Sequence, residues 1–76
     1  MLNTTPELDA RGLNCPLPIL RAKKALNGLQ HGEILHIRAT DPGALKDFDA
    51  FCKQTGNELV SSGQMGDEYV FQIRKH

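Results

Sequence analysis

Cys15 is the residue of this sequence best placed to do chemistry. It stands in the stretch Asp9-Ala10-Arg11-Gly12-Leu13-Asn14-Cys15-Pro16-Leu17-Pro18, and helix formers follow it as far as Asn27. Pro16 biases the residue before it away from helical dihedrals. Pro16 and Pro18 are both tolerated in a first helical turn, where the amide groups have no internal partner. The two prolines therefore fix where the helix begins and set Cys15 at its positive end. Aligned peptide dipoles and free amides there favour a thiolate, the nucleophilic form of cysteine. The expected pKa shift is downward, into a range of roughly 3.5 to 7.5 against ~8.5 for a free thiol. Because the prolines remove donors, the shift should be modest, and Arg11 and Arg21 would add to it if they point at the sulfur. The alternative is that Cys15 is a small apolar residue in a loop.

Few other residues compete for a chemical role. Cys52 falls on an apolar helical stripe with Phe48 and Phe51, away from either helix end, and is expected to be a structural thiol. There is no CxxC, and His31, His36 and His76 are scattered, so neither a metal nor a cofactor is expected. Leu17 and Leu20 fall on the outward side of the first helix beside Cys15. They form a contact with the second helix, stand as ordinary scattered apolar residues of the surface or, with Arg21 and Lys24, make a docking patch for a partner protein.

The elements that must hold these residues are marked by turn signals. Leu8 and Ala10 alternate with Glu7 and Asp9, a short strand that ends near Arg11-Gly12. A helix at 16–27 is followed by Gly28, with Ile19, Ala22, Ala25, Leu26 and Leu29 on one stripe. Residues 34–40 alternate as a half-buried strand: Leu35, Ile37 and Ala39 face one way, His36 and Arg38 the other. Asp41 is placed to cap a second helix with Pro42 as its first residue. That helix runs to about Thr55 and buries Ala44, Leu45, Phe48, Phe51 and Cys52. Strands at 58–62 and 68–74 follow, joined through residues 63–66. Right-handed crossovers put both helices on one face of the sheet. The expected fold is α+β, a two-layer sandwich of order β-α-β-α-β-β with a four-stranded mixed sheet. His36, Arg38, Gln72 and Arg74 would stand in water on its open face.

The bulk properties narrow the function classes. A chain of 76 residues is expected to form one domain, spanning 1–76, with a thin core and little room for an enclosed substrate pocket. Nine basic residues balance nine acidic ones, which argues against broad attraction to nucleic acid or membrane. No apolar run approaches the ~20 residues of a membrane span, and residues 1–5 lack the character of a leader peptide. A cytoplasmic location with reduced thiols is the expectation.

The Cys15-Pro16-x-Pro18 core, preceded by Asp9, Gly12 and Leu13, resembles the TusA/SirA-like family of sulfur carriers. Further matches are Asp41-Pro42, Phe51-Cys52 and Ile73-Arg74-Lys75, so the resemblance covers essentially the whole chain. It implies the same β-α-β-α-β-β sandwich and a persulfide carried on Cys15, with Asp9, Arg11, Gly12, Pro16 and Pro18 supporting it. A cysteine desulfurase or a rhodanese-like protein would load the sulfur, and a DsrE/TusD-like relay would accept it. Those relays serve tRNA 2-thiouridine formation, molybdenum-cofactor sulfuration or sulfur oxidation. Such a carrier is not expected to turn over a small substrate by itself. Two other classes are a thiol-disulfide redox protein pairing Cys15 with Cys52, and a non-catalytic module binding RNA or protein through His36, Arg38 and Arg74.

Overall fold

Two helices alternate with the first three of four strands: β1 (Glu7–Ala10), α1 (Leu17–Asn27), β2 (Ile34–Ala39), α2 (Ala44–Thr55), β3 (Glu58–Met65) and β4 (Glu68–Arg74). The structure, a computed structural model, describes residues 6–76, so the expectation about residues 1–5 lies outside the described residues. The sheet order is β1-β2-β4-β3, with β1 parallel to β2 and β4 antiparallel to both β2 and β3. This is the mixed α+β sheet that the alternation of patterns implies.

One sheet face makes the core. The register pairs Ala10 with Ala39, Ile37 with Phe71 and Leu35 with Ile73, and all six side chains are buried. Ala22 and Leu26 of α1 and Phe48, Phe51 and Cys52 of α2 pack in the same cluster. Phe48 lies 4.7 Å from Phe71 between ring centroids and joins α2 to the sheet. Truncating so large a buried ring costs about 3–5 kcal/mol.

The position of the loops follows from the parallel pairing. Ala10 and Ala39 end β1 and β2 opposite each other, so the segments that leave them, 11–16 and 40–43, emerge side by side. Ligand and reaction sites of open α/β sheets favour this end of the strands.

Several boundaries differ from the sequence pattern. β3 continues to Met65, because Gly63 pairs with Val70 instead of turning, and the hairpin closes at Gly66-Asp67. Gly66 has φ +63°, which a tight hairpin turn asks of its first central residue. The ladder is irregular between Leu59 and Ser61, which period-two counting does not anticipate. The regular part of α2 begins at Ala44, not Pro42. The N-cap is Gly43, with no side-chain cap, so Asp41 does not cap the helix as expected; it shapes the turn before it, its carbonyl accepting from Ala44 N at 2.9 Å and its Oδ1 from Gly43 N at 3.3 Å. Leu45, at the margin of the stripe, is 39% exposed. In α1, Pro18 is buried while Ile19, Ala25 and Leu29 are half-buried. On the open face Arg38 and Arg74 are exposed, but His36 and Gln72 are half-buried between cross-strand neighbours.

Candidate functional site

The segment between β1 and α1 is held by hydrogen bonds to the segment between β2 and α2. Gly12 N donates to Thr40 Oγ1 at 2.9 Å, and Cys15 N donates to Asp41 Oδ2 at 3.2 Å. Gly12 has φ +78°, where a side chain would be strained. Leu17 N donates to the Asn14 carbonyl at 2.8 Å and Leu20 N to the Pro16 carbonyl at 3.1 Å. Pro18 is buried and anchors the start of α1, whereas Cys15 and Pro16 are exposed. The Cys15–Pro16 peptide bond is cis.

The two basic residues expected to help the thiolate act elsewhere or not at all. Arg11 forks onto Asp9, Nε to Oδ1 at 2.8 Å and Nη2 to Oδ2 at 2.9 Å, and its Nη1 lies 3.6 Å from Glu68 Oε2. Glu68 also pairs with Arg38 at 2.8 Å. The Arg11 guanidinium holds the Asp9 carboxyl well below the usual carboxylate range. Asp9 and Arg11 thus stiffen the end of β1, and their charges satisfy each other. Arg21 stands exposed on α1 and does not contribute to the thiol's electrostatics.

The electrostatics of Cys15 run opposite to the sequence expectation. Its thiol pKa is raised, first by the Asp47 carboxylate as a nearby acceptor, then by desolvation and by the negative charges of Asp47 and Asp41. The helix-end effect loses for a local reason. Pro16 and Pro18 have no N–H, and the amides of Cys15, Leu17 and Leu20 already donate to oxygen acceptors. The negative charges of Asp47 and Asp41 outweigh what remains of the dipole. Asp47 was legible only as a solvated position of α2, and Asp41 only as a cap. Nothing local in the sequence brings them to Cys15.

Residues 6–75 match the family described as Sulfurtransferase TusA. The chain belongs to that family. It is 61% identical over 75 residues to the sulfur carrier protein TusA of Allochromatium vinosum, covering 99% of each chain. To the sulfur carrier protein TusA of Pseudomonas putida it is 38% identical over 77 residues, covering 99% of this chain and 96% of that one. The crystal structure of a SirA-like protein from Desulfitobacterium hafniense superposes with a TM-score of 0.79, over 90% of this chain and 93% of that one. At 23% identity that likeness concerns the fold.

On this TusA-family chain the four residues suggested for docking do come together. Leu17, Leu20, Arg21 and Lys24 line an open groove with Leu8 and Gly28, along the outer side of α1 and the edge strand β1. Leu17 is 44% and Leu20 55% exposed, so neither is consumed by packing against α2. Cys52, by contrast, is buried, and burial and the Asp49 charge push its thiol pKa up to about 11. No helix among the described residues is long and apolar enough to cross a membrane.

Proposed function

We propose that Cys15 carries sulfane sulfur as a persulfide, taken from a cysteine desulfurase or a rhodanese-like donor and passed to a thiol of a downstream relay protein. In loading, the Cys15 sulfur attacks the outer sulfur of the donor persulfide. A new S–S bond forms on Cys15, the donor's S–S bond breaks, and the donor sulfur leaves as a thiolate. Unloading is the same exchange with the acceptor thiolate attacking. No electrons are gained or lost overall. The observation that carries this reading is the exposed, free Cys15 thiol on a clamped loop–helix junction, in a chain whose relatives are sulfur carrier proteins. Such exchange needs an approachable sulfur and no enclosing pocket. The groove of Leu17, Leu20, Arg21 and Lys24 suits a protein partner that covers the exchanging sulfurs and excludes water. The carrier would act in the cytoplasm without direct contact to nucleic acid or membrane, serving tRNA thiolation, molybdenum-cofactor sulfuration or sulfur oxidation.

The test is intact mass after incubation with a cysteine desulfurase plus cysteine, and separately with a rhodanese plus thiosulfate. The expected result is a gain of one sulfur atom that is absent in Cys15→Ser. A gain that persists in Cys15→Ser, or none from either donor, overturns the reading.

A further inference from the structure

Histidines that stand apart in the sequence do not all stand apart in the fold. The imidazoles of His31 and His76 meet edge to face, 6.2 Å between ring centroids and with their planes 66° apart. They sit at the end of the sheet remote from Cys15. Cys15 follows the end of β1, which closes beside the end of β2. His31 instead precedes β2, and His76 follows β4, which runs antiparallel to β2.

Main-chain hydrogen bonds fix this juxtaposition. Gly32, next to His31, donates its N–H to the carbonyl of Lys75, next to His76, at 2.9 Å. Lys75 N donates in turn to the Glu33 carbonyl at 2.7 Å. His76 N donates to Asn57 Oδ1 at 2.8 Å, and a Cβ on Gly56 would come within 3.4 Å of His76 Cδ2, so the ring lies against that turn. The turn that carries His31 closes on itself, since Gln30 N donates to Glu33 Oε1 at 2.6 Å. None of these contacts uses an imidazole nitrogen. Among the described residues neither ring has a hydrogen-bond or ion-pair partner.

A neutral imidazole offers one nitrogen lone pair. Two imidazoles bound to one ion through nitrogens at about 2.1 Å each stand roughly 5–6.5 Å apart between centroids, according to the angle at the metal. The separation of His31 and His76 falls within that span, so rotation of the two side chains brings a nitrogen of each onto a common point. Imidazole suits zinc, nickel and copper, whereas magnesium and calcium take oxygen ligands.

We propose that His31 and His76 together form a binding site for a divalent transition ion of the zinc, nickel and copper class. No third His, Cys, Asp or Glu joins them among the described residues, so water or a ligand from outside the chain completes the coordination. The ion ties the segment after β4 to the turn before β2. The site is independent of sulfur carriage on Cys15.

The experiment titrates Zn2+ into the full chain carrying Cys15→Ser, which removes the competing exposed thiol, and reads calorimetric binding and Tm. The expected result is saturable binding of a single ion and a Tm that rises with zinc. In that background His31→Gln and His76→Gln should each weaken binding by about tenfold or more, since loss of even an outer-shell partner costs that much at metal sites. Each should also abolish the zinc-dependent rise in Tm. Both rings are exposed, so both variants should fold. His36→Gln, on the open sheet face, should bind like the parent, and Mg2+ should not bind. Absence of saturable zinc binding in the parent overturns the proposal, as does parental affinity in either His31→Gln or His76→Gln. An equal loss in His36→Gln overturns it too, because the ion would then sit on the open sheet face.

Discussion

The main-chain N–H of Cys15 donates to Oδ2 of Asp41 at 3.2 Å, across 26 positions of sequence. The other oxygen of the same carboxylate accepts from Gly43 N at 3.3 Å. One side chain therefore fixes the backbone at the thiol and the approach to α2 together. It also puts a negative charge near the sulfur, which contributes to the raised thiol pKa.

Asp41→Ala is expected to lower stability by about 1–2 kcal/mol, because two amides lose their acceptor. Asp41→Asn keeps an acceptor oxygen and should cost less. Urea unfolding of both variants checks this. Equal stability of Asp41→Ala and the wild type would mean that water replaces the carboxylate without loss.

Alkylation of Cys15 should be slower at neutral pH than that of an unstructured cysteine peptide. A raised folded pKa leaves less thiolate, so the rate should climb only as pH passes above the peptide's own titration range. Asp47→Asn should shift the rate profile to lower pH. A wild-type profile at or below that of the peptide would show that the helix end outweighs the two carboxylates.

Cys52→Ala should leave sulfur loading unchanged and lower stability by roughly 1–2 kcal/mol, as small truncations in a core do. In the native chain Cys52 should react with alkylating reagents only after denaturation. Its folded pKa of about 11 lies above the unfolded value, so its contribution to stability is intact below the unfolded pKa. That contribution fades as pH rises through the folded value. Rapid native-state alkylation of Cys52 would contradict its burial.

Leu17→Glu should slow sulfur transfer to and from partner proteins while barely changing the reaction of Cys15 with a small alkylating reagent. Leu17 is 44% exposed in a groove rimmed by Arg21 and Lys24, and an acid that a docking partner must cover there would spoil both the apolar contact and the charge pattern. Equal slowing of both reactions would point to a disturbed thiol. Unchanged transfer would place the partner elsewhere.

Local patterns determined much of this protein. Period-two alternation in 34–39 and 68–74 told which faces of β2 and β4 are buried, because neighbouring side chains on a strand must point opposite ways. Pro16 and Pro18 marked the start of α1, and helical spacing placed Cys52 with Phe48 and Phe51, because both constraints act within a turn or two of chain. The tertiary structure decided what depends on distant segments. Gly63 became a paired residue instead of a turn because Val70 lies opposite it. The insertion of β4 between β2 and β3 is a matter of pairing, which no single strand encodes. Above all, it decided the sign of the electrostatics at Cys15. The residues near Cys15 in sequence promised a helix end and two arginines, but Asp9 and Glu68 engage Arg11 while Asp41 and Asp47 arrive from the far side of β2. Charge acts through space at a few ångströms, and only the parallel pairing of β1 with β2 sets which charges come that close.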